Sequence, residues 1–345
     1  MSSLIDVLVD AFGSLQGWLF ETAVEPLVFA MGGAGYLEQA YSGTEFFLLG
    51  VLQIVILYGL LRPLEALVPA ERWPDRKAVR VDVLYTLIHR LGLFSLAVFL
   101  WLDPLLDHLA GALRLEGWRT FNLDDLWPGV TSIPWVAFLL YLLVLDFAAY
   151  WVHRWQHRFE WWWGLHSLHH SQRQLTLWSD NRNHLLDDVV RDIVFALLAL
   201  VIGVQPGQFV LLLVVTRSLE SLHHANVRLS FGRVGEWLLV SPRFHRLHHA
   251  VGTGHEGPAQ GCNFAVLLPV WDHLFGTWGA TREYPATGIR DQLPAPVGCG
   301  RDYGDGFWSQ QALGVVRMVR GLVPGAAAAA ASSADPSPSS PGPAA

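Results

Sequence analysis

An all-α fold is predicted: an integral membrane helical bundle with a cytoplasmic cap of histidine-rich helices. Three observations predict it. The 345-residue chain is 52% hydrophobic and 15% charged, with a mean hydropathy of +0.32, a balance unlike that of soluble globular proteins. Long apolar runs alternate with short polar segments in its first two thirds. Thirteen of its fifteen histidines fall between His153 and His273, many at the i, i+3 and i+4 intervals that share one helix face.

Taken in order, residues 1–44 are moderately apolar but broken by Asp6, Asp10, Glu21 and the glycines from Gly32 to Gly35. They suit interfacial or short helices, and the lack of a basic leading segment argues against a signal peptide. Residues 45–152 are expected to hold the transmembrane helices. Phe46 to Leu61 is uncharged between Glu45 and Arg62, close to the roughly 17–20 residues a span needs. The following loop carries Arg62, Arg72, Arg76, Lys77 and Arg80, which places it in the cytoplasm. Val81 to Leu102 forms the next expected span, packed against other helices because it contains Asp82, His89 and Arg90. Residues 103–131 read as an outer loop, and Ile133 to Val152 as the return that delivers His153 to the cytoplasmic side.

Residues 153–278 are the expected catalytic region, with a membrane hairpin near 189–215 formed by Val189–Val204 and Phe209–Val215. Residues 279–323 read as a C-terminal extension, and the Ala-, Ser-, Pro- and Gly-rich stretch 324–345 as a disordered tail. The expected location is a multi-pass one with the histidines on the cytoplasmic face, in a bacterial inner membrane. A formal charge of −7 and the absence of Lys and Arg from the first 61 residues argue against a nucleic-acid partner. Cys262 and Cys299 are too few for a disulfide framework or a thiolate zinc site.

The stretch Tyr150 to His170 concentrates the chemistry. His153 and His157 stand four apart, and His166, His169 and His170 stand at i, i+3 and i+4; the same triplet returns at His245, His248 and His249, with His223 and His224 between. Neutral imidazole ligates zinc, iron, copper or nickel without a thiolate partner. A structural zinc takes about four ligands, so His153, His157, His166, His169, His170, His224, His245, His248 and His249 suffice for two ions. A nitrogen-rich two-metal site beside lipid points to oxidation of hydrocarbon, because no side chain can attack an inert C–H bond whereas a redox metal that activates dioxygen can.

The boxes HRWQH, HSLHH and HRLHH resemble the HxxxH, HxxHH and HxxHH boxes of the fatty acid hydroxylase and sterol desaturase superfamily, in the same order. HHANV at His223–Val227 and the segment Gly261–Trp278, with its NF and WDHLFGT elements, are similar to that family too. Over about Leu140 to Trp278, the resemblance implies a non-haem di-iron oxygenase whose nine histidines form the catalytic metal-ligand set, with two iron ions as cofactor and O2 as co-substrate. It implies hydroxylation, or alternatively desaturation, of a lipid such as a fatty acyl chain or sterol. Relatives carry a histidine where this chain has Glu220, so Glu220 becomes a candidate ligand or a partner for a ligand's ring N–H. RNHLLDD resembles an RxHPxE stretch with Leu185 in place of proline, which makes His184 a further candidate, as is His223.

The chain has no haem motif, dinucleotide fingerprint or CxxC pattern, so a separate electron donor is expected, a ferredoxin or cytochrome with its reductase. Two alternatives stand beside this reading: a membrane divalent-metal carrier or sensor, and a zinc hydrolase. Carriers place their ligands at mid-membrane, whereas here the boxes follow the spans. A hydrolase calls for a Glu base, and HExxH is absent. His89 and His108 are assigned no chemistry, His255 and His273 flank the site region in sequence, and His273 reads as part of a packed loop. Trp151, Trp155 and Trp161 to Trp163 read as an interfacial aromatic belt, and Asp272 as a structural anchor for a nearby Arg or His.

Overall fold

The computed structural model describes residues 3–72, 77–118, 123–202, 206–252 and 261–323. The expected tail at 324–345, His255 and residue Gln205 of the hairpin turn lie outside them. Among the described residues there is no β-strand, and two isolated bridges, Pro69 with Val227 and Ala250 with Thr287, are the extended pairings.

The helices are α1 (Leu4–Leu19), α2 (Glu25–Ala30), α3 (Leu37–Leu67), α4 (Ala78–Arg90), α5 (Leu93–Leu115), α6 (Leu123–Leu126), α7 (Pro134–Arg158), α8 (Glu160–His170), α9 (Leu185–Ile202), α10 (Pro206–His224), α11 (Gly232–Leu238), α12 (Pro242–His248), α13 (Val270–Phe275) and α14 (Phe307–Leu322). Among the described residues, two segments are long and apolar enough to cross a membrane, Ala34–Leu67 and Pro134–Arg158. Both turn large apolar side chains outward: Phe46, Val55, Ile56 and Leu60 on α3, and Trp135, Leu139 and Leu143 on α7.

Two expectations from the sequence change. The run 81–102 is not one helix, because Gly92 adopts φ 79°, a left-handed conformation open to glycine, and ends α4 there. α5 then runs on to Leu115, so the start of the expected outer loop is helical. Pro104 lies inside that helix, and leucines carry it onward.

Buried polar ties hold the elements around the histidines. Arg182 meets Asp82 at 3.0 Å and Arg90 meets Asp180 at 2.7 Å, all four side chains buried. Such pairs are weak sources of net stability, but breaking one side is costly. They lock α4 to the segment after α8. Glu65 of α3 accepts from the backbone N–H of Leu177 (2.8 Å) and of Asn226 (3.0 Å), which fixes α3 against the loops that follow α8 and α10.

α14 lies along α8 at backbone contact. A Cβ added at Gly164 would stand 2.6 Å from the Met318 nitrogen, and one at Gly321 2.7 Å from the Glu160 carbonyl. Glycine is what lets the two helices approach this closely.

Candidate metal centre

Four helices bring their C-terminal ends to one place. His153 and His157 stand in the last two turns of α7, His166, His169 and His170 on α8, His224 at the end of α10, and His245 and His248 on α12 with His249 as its cap. The carbonyl ends of helices carry partial negative charge and favour cations. All nine side chains are buried.

They form two groups. His153, His157, His166 and His170 bring ligand atoms within 4.8 Å of one another, as do His169, His224, His245 and His249. A third set, His170, His248 and His249, lies at the seam between the two. The His248 ring is 4.5 Å from that of His153 and 4.9 Å from that of His157, and the His170 and His249 rings stack at 4.3 Å.

In the second group the Nε2 atoms face each other: His169 to His224 at 3.1 Å, His224 to His245 at 3.0 Å, and His245 to His249 at 3.2 Å. Facing ring nitrogens can share at most one proton per pair. Burial, followed by the neighbouring imidazoles, holds His169, His245 and His249 well below the usual histidine pKa, so their rings are neutral and their lone pairs available. His166 Nε2 and the Nδ1 atoms of His169, His245 and His249 are buried without a hydrogen-bond partner among the described residues. Buried polar atoms left this way are costly unless something binds them, and the two groups, each ring offering one nitrogen, make a donor set that a pair of cations fits.

The outer nitrogens are oriented by neighbouring groups, of which the sequence reading singled out Glu220 alone. His166 Nδ1 stands 2.9 Å from Asp187 Oδ2, while Gln156 Nε2 (2.7 Å) and Trp162 Nε1 (2.6 Å) donate to Asp187 Oδ1. His153 Nδ1 donates to the Phe264 carbonyl at 2.8 Å, His248 Nδ1 to the Cys262 carbonyl at 2.7 Å, and His224 Nδ1 to the Glu220 carbonyl at 2.8 Å. In each case the outer contact turns Nε2 toward the centre, the arrangement that fixes a metal-binding tautomer.

The loop that supplies two of those carbonyls is itself anchored. Asn263, at φ 60°, accepts from the Gly279 N–H at 2.7 Å and donates to the Phe244 carbonyl at 3.0 Å. Asp272 accepts from the N–H groups of Phe264 (2.9 Å) and Ala265 (2.8 Å) and from the Thr277 hydroxyl (2.6 Å). Asp272 is thus a structural anchor, but for backbone rather than for an Arg or His. Asp272→Ala is expected to leave two backbone donors unmatched, at ~1–3 kcal/mol each, and to lower the thermal midpoint in detergent; an unchanged midpoint would refute the anchoring role.

The three further candidates fall outside both groups. His184 has its ring nitrogens at the Gln311 carbonyl (2.7 Å) and the Leu186 N–H (3.1 Å). His223 is buried, with a ring centroid 6.0 Å from that of His245. Glu220 touches the centre through its backbone carbonyl alone among the contacts described. His273 stacks on Trp237 at 3.6 Å, and His89 lies between the Tyr85 carbonyl and Asp188, both packing roles. The tryptophans divide differently from the expected belt: Trp162 is buried on Asp187 and Trp163 lies 5.0 Å from the His157 ring, while Trp155 is exposed. A run of three aromatics on a helix already bearing ligands was the available signal that two of them face inward.

Residues 138–277 match the sequence profile of the fatty acid hydroxylase family. That match, with the relatives below, makes this stretch similar to the fatty acid hydroxylase and sterol desaturase superfamily. The chain is 31% identical over 174 residues to an alkylglycerol monooxygenase of Homo sapiens, covering 50% of this chain and 36% of that protein. It is 26% identical over 241 residues to the ornithine lipid hydroxylase OlsE of Rhizobium tropici, covering 67% and 65%. Against a Delta(7)-sterol 5(6)-desaturase of Gibberella zeae the figures are 29% over 178 residues, 50% and 46%. The chain thus spans less than two thirds of each of these relatives. No solved structure matches it.

Proposed function

We propose that this protein is a membrane-bound, non-haem di-iron oxidoreductase that hydroxylates, or alternatively desaturates, a lipid. The observation that carries the reading is the pair of adjacent, buried, all-histidine groups with inward-facing nitrogens. His153, His157, His166 and His170, with His248 beside them, would hold one ion; His169, His224, His245 and His249 would hold the other. Iron bound there supplies dioxygen activation, drawing electrons from a separate donor such as a ferredoxin or a cytochrome with its reductase.

The chain's own residues set the conditions for that chemistry. Burial keeps the imidazoles of His169, His245 and His249 neutral and keeps bulk water away from the donor atoms. Asp187 and the carbonyls of Phe264, Cys262 and Glu220 fix ring orientation. A lipid substrate is supported by the relatives, which are hydroxylases and desaturases. Membrane insertion is supported by α3 and α7, whose apolar windows are 17% and 28% buried. Helices of that composition call for an apolar surround, and such exposed apolar surface marks a membrane contact. We place the histidines on the cytoplasmic face, following the basic loop after α3.

Metal analysis and Mössbauer spectroscopy on protein purified in mild detergent from iron-57-fed cells test the reading. Two irons per chain with a coupled signal are expected, with the signal lost in His169→Ala. A stoichiometric redox-inert metal, with no iron uptake after anaerobic reconstitution, would sink it. Comparing lipids from cells with and without the active protein then identifies the substrate, through gain of an oxygen atom or loss of a hydrogen pair.

A further inference from the structure

The stretch matching the family ends at residue 277, yet the chain beyond it is bonded to the centre. Residues 286–288 run antiparallel to 249–251, bridged at Ala250 and Thr287. The Val251 N–H donates to the Ala286 carbonyl at 3.1 Å, and the Gly288 N–H donates to the carbonyl of His249 at 3.2 Å. Arg246, within the third histidine box, donates through Nε to the Pro285 carbonyl at 2.8 Å.

Four residues past Gly288 the same segment reaches the other box. Gln292 accepts from the Ile289 N–H at 2.9 Å through Oε1, and its Nε2 donates to the Ser171 carbonyl at 3.0 Å. Ser171 directly follows His170 at the end of α8, where helix carbonyls lack partners within the helix. The two histidines tied in this way, His170 and His249, are the pair whose rings stack at 4.3 Å across the seam between the groups.

We propose that Gln292 is a positioning residue of the two-metal centre, holding the second and third histidine boxes at a fixed separation and with them the two ions. The proposal rests on the di-metal reading above. A side-chain amide suits the task because one planar group accepts from the segment bonded to His249 while donating to the residue after His170. Gln292→Glu keeps the shape and the acceptor and loses the donor. Gln292→Ala loses both.

The test uses cobalt(II) as probe on full-length protein in detergent, freed of metal and reloaded. Wild type is expected to bind two cobalt ions. Both variants are expected to bind two and to release them to a chelator about tenfold faster, the scale of loss seen for groups that orient metal ligands. Their ligand-field absorption and magnetic coupling should change, while the thermal midpoints of the metal-free proteins stay equal to wild type. Variants that match wild type in release and coupling would overturn the tie and leave the metal reading standing. So would metal-free midpoints that fall in step with metal loss, since the role would then be structural. Wild-type protein that binds no cobalt would overturn the di-metal reading, and the tie with it.

Discussion

If the site holds the two irons proposed above, Asp187→Asn is expected to strip iron from the first group while leaving the fold nearly intact. Asp187 is buried, with Gln156 and Trp162 on one oxygen and His166 on the other. In the asparagine variant the amide oxygen can keep Gln156 and Trp162, which turns the NH2 toward His166. The Nδ1 atom must then accept, the ring proton moves to Nε2, and the lone pair that faces the centre is lost. Iron affinity of the first group should fall ~10–100-fold, the usual scale for such orienting partners, with a small change in thermal midpoint. Asp187→Ala differs in kind: three buried donors lose their acceptor, at ~1–3 kcal/mol each, so stability and iron fall together. Equal iron content in wild type and Asp187→Asn, measured by metal analysis after chelator challenge, would refute the orienting role.

Gly164→Ala is expected to have the second large effect. The added methyl would meet the Met318 nitrogen at 2.6 Å and the Arg317 carbonyl carbon at 2.7 Å. Both are backbone atoms, so no side chain can swing away and α14 as a whole must shift. Overpacking of this kind costs ~1–3 kcal/mol, against a small intrinsic gain of alanine over glycine in a helix. Because α8 carries His166, His169 and His170, retained iron should drop with the thermal midpoint. Gly13→Ala is the control: nothing lies within 4 Å of its added Cβ, so the midpoint should hold or rise slightly. Matching behaviour of the two variants would refute the close-contact argument.

The histidine boxes were legible because a helix converts i, i+3 and i+4 spacing into a shared face. How the nine divide between groups was not legible: His169 and His170 are neighbours in sequence, yet they point to different groups because successive helical residues lie about 100° apart. Asp187 was hidden as one of two adjacent aspartates, and its role depends on α9 folding back against α8. The helical character of the long apolar runs could be read directly. The break at Gly92 could not be distinguished from a glycine inside a span, and the loop read at 103–131 begins as helix because a proline such as Pro104 can sit within a helix when its neighbours take up the strain. The pairing of 286–288 with 249–251 is a single long-range bridge without strand alternation, and nothing local announces it.

That pairing also bears on where the chain can be cut. The family profile's match ends at residue 277, and an excised fragment would naturally be drawn to that border. Such a fragment would lose the amide that meets the His249 carbonyl, the side chain that meets Ser171, and the helix that covers α8. The stretch that the family profile matches is shorter than the unit that encloses the histidines. Chimeras that exchange this region between relatives should therefore carry their border beyond Leu322, so that each set of boxes travels with its own strap.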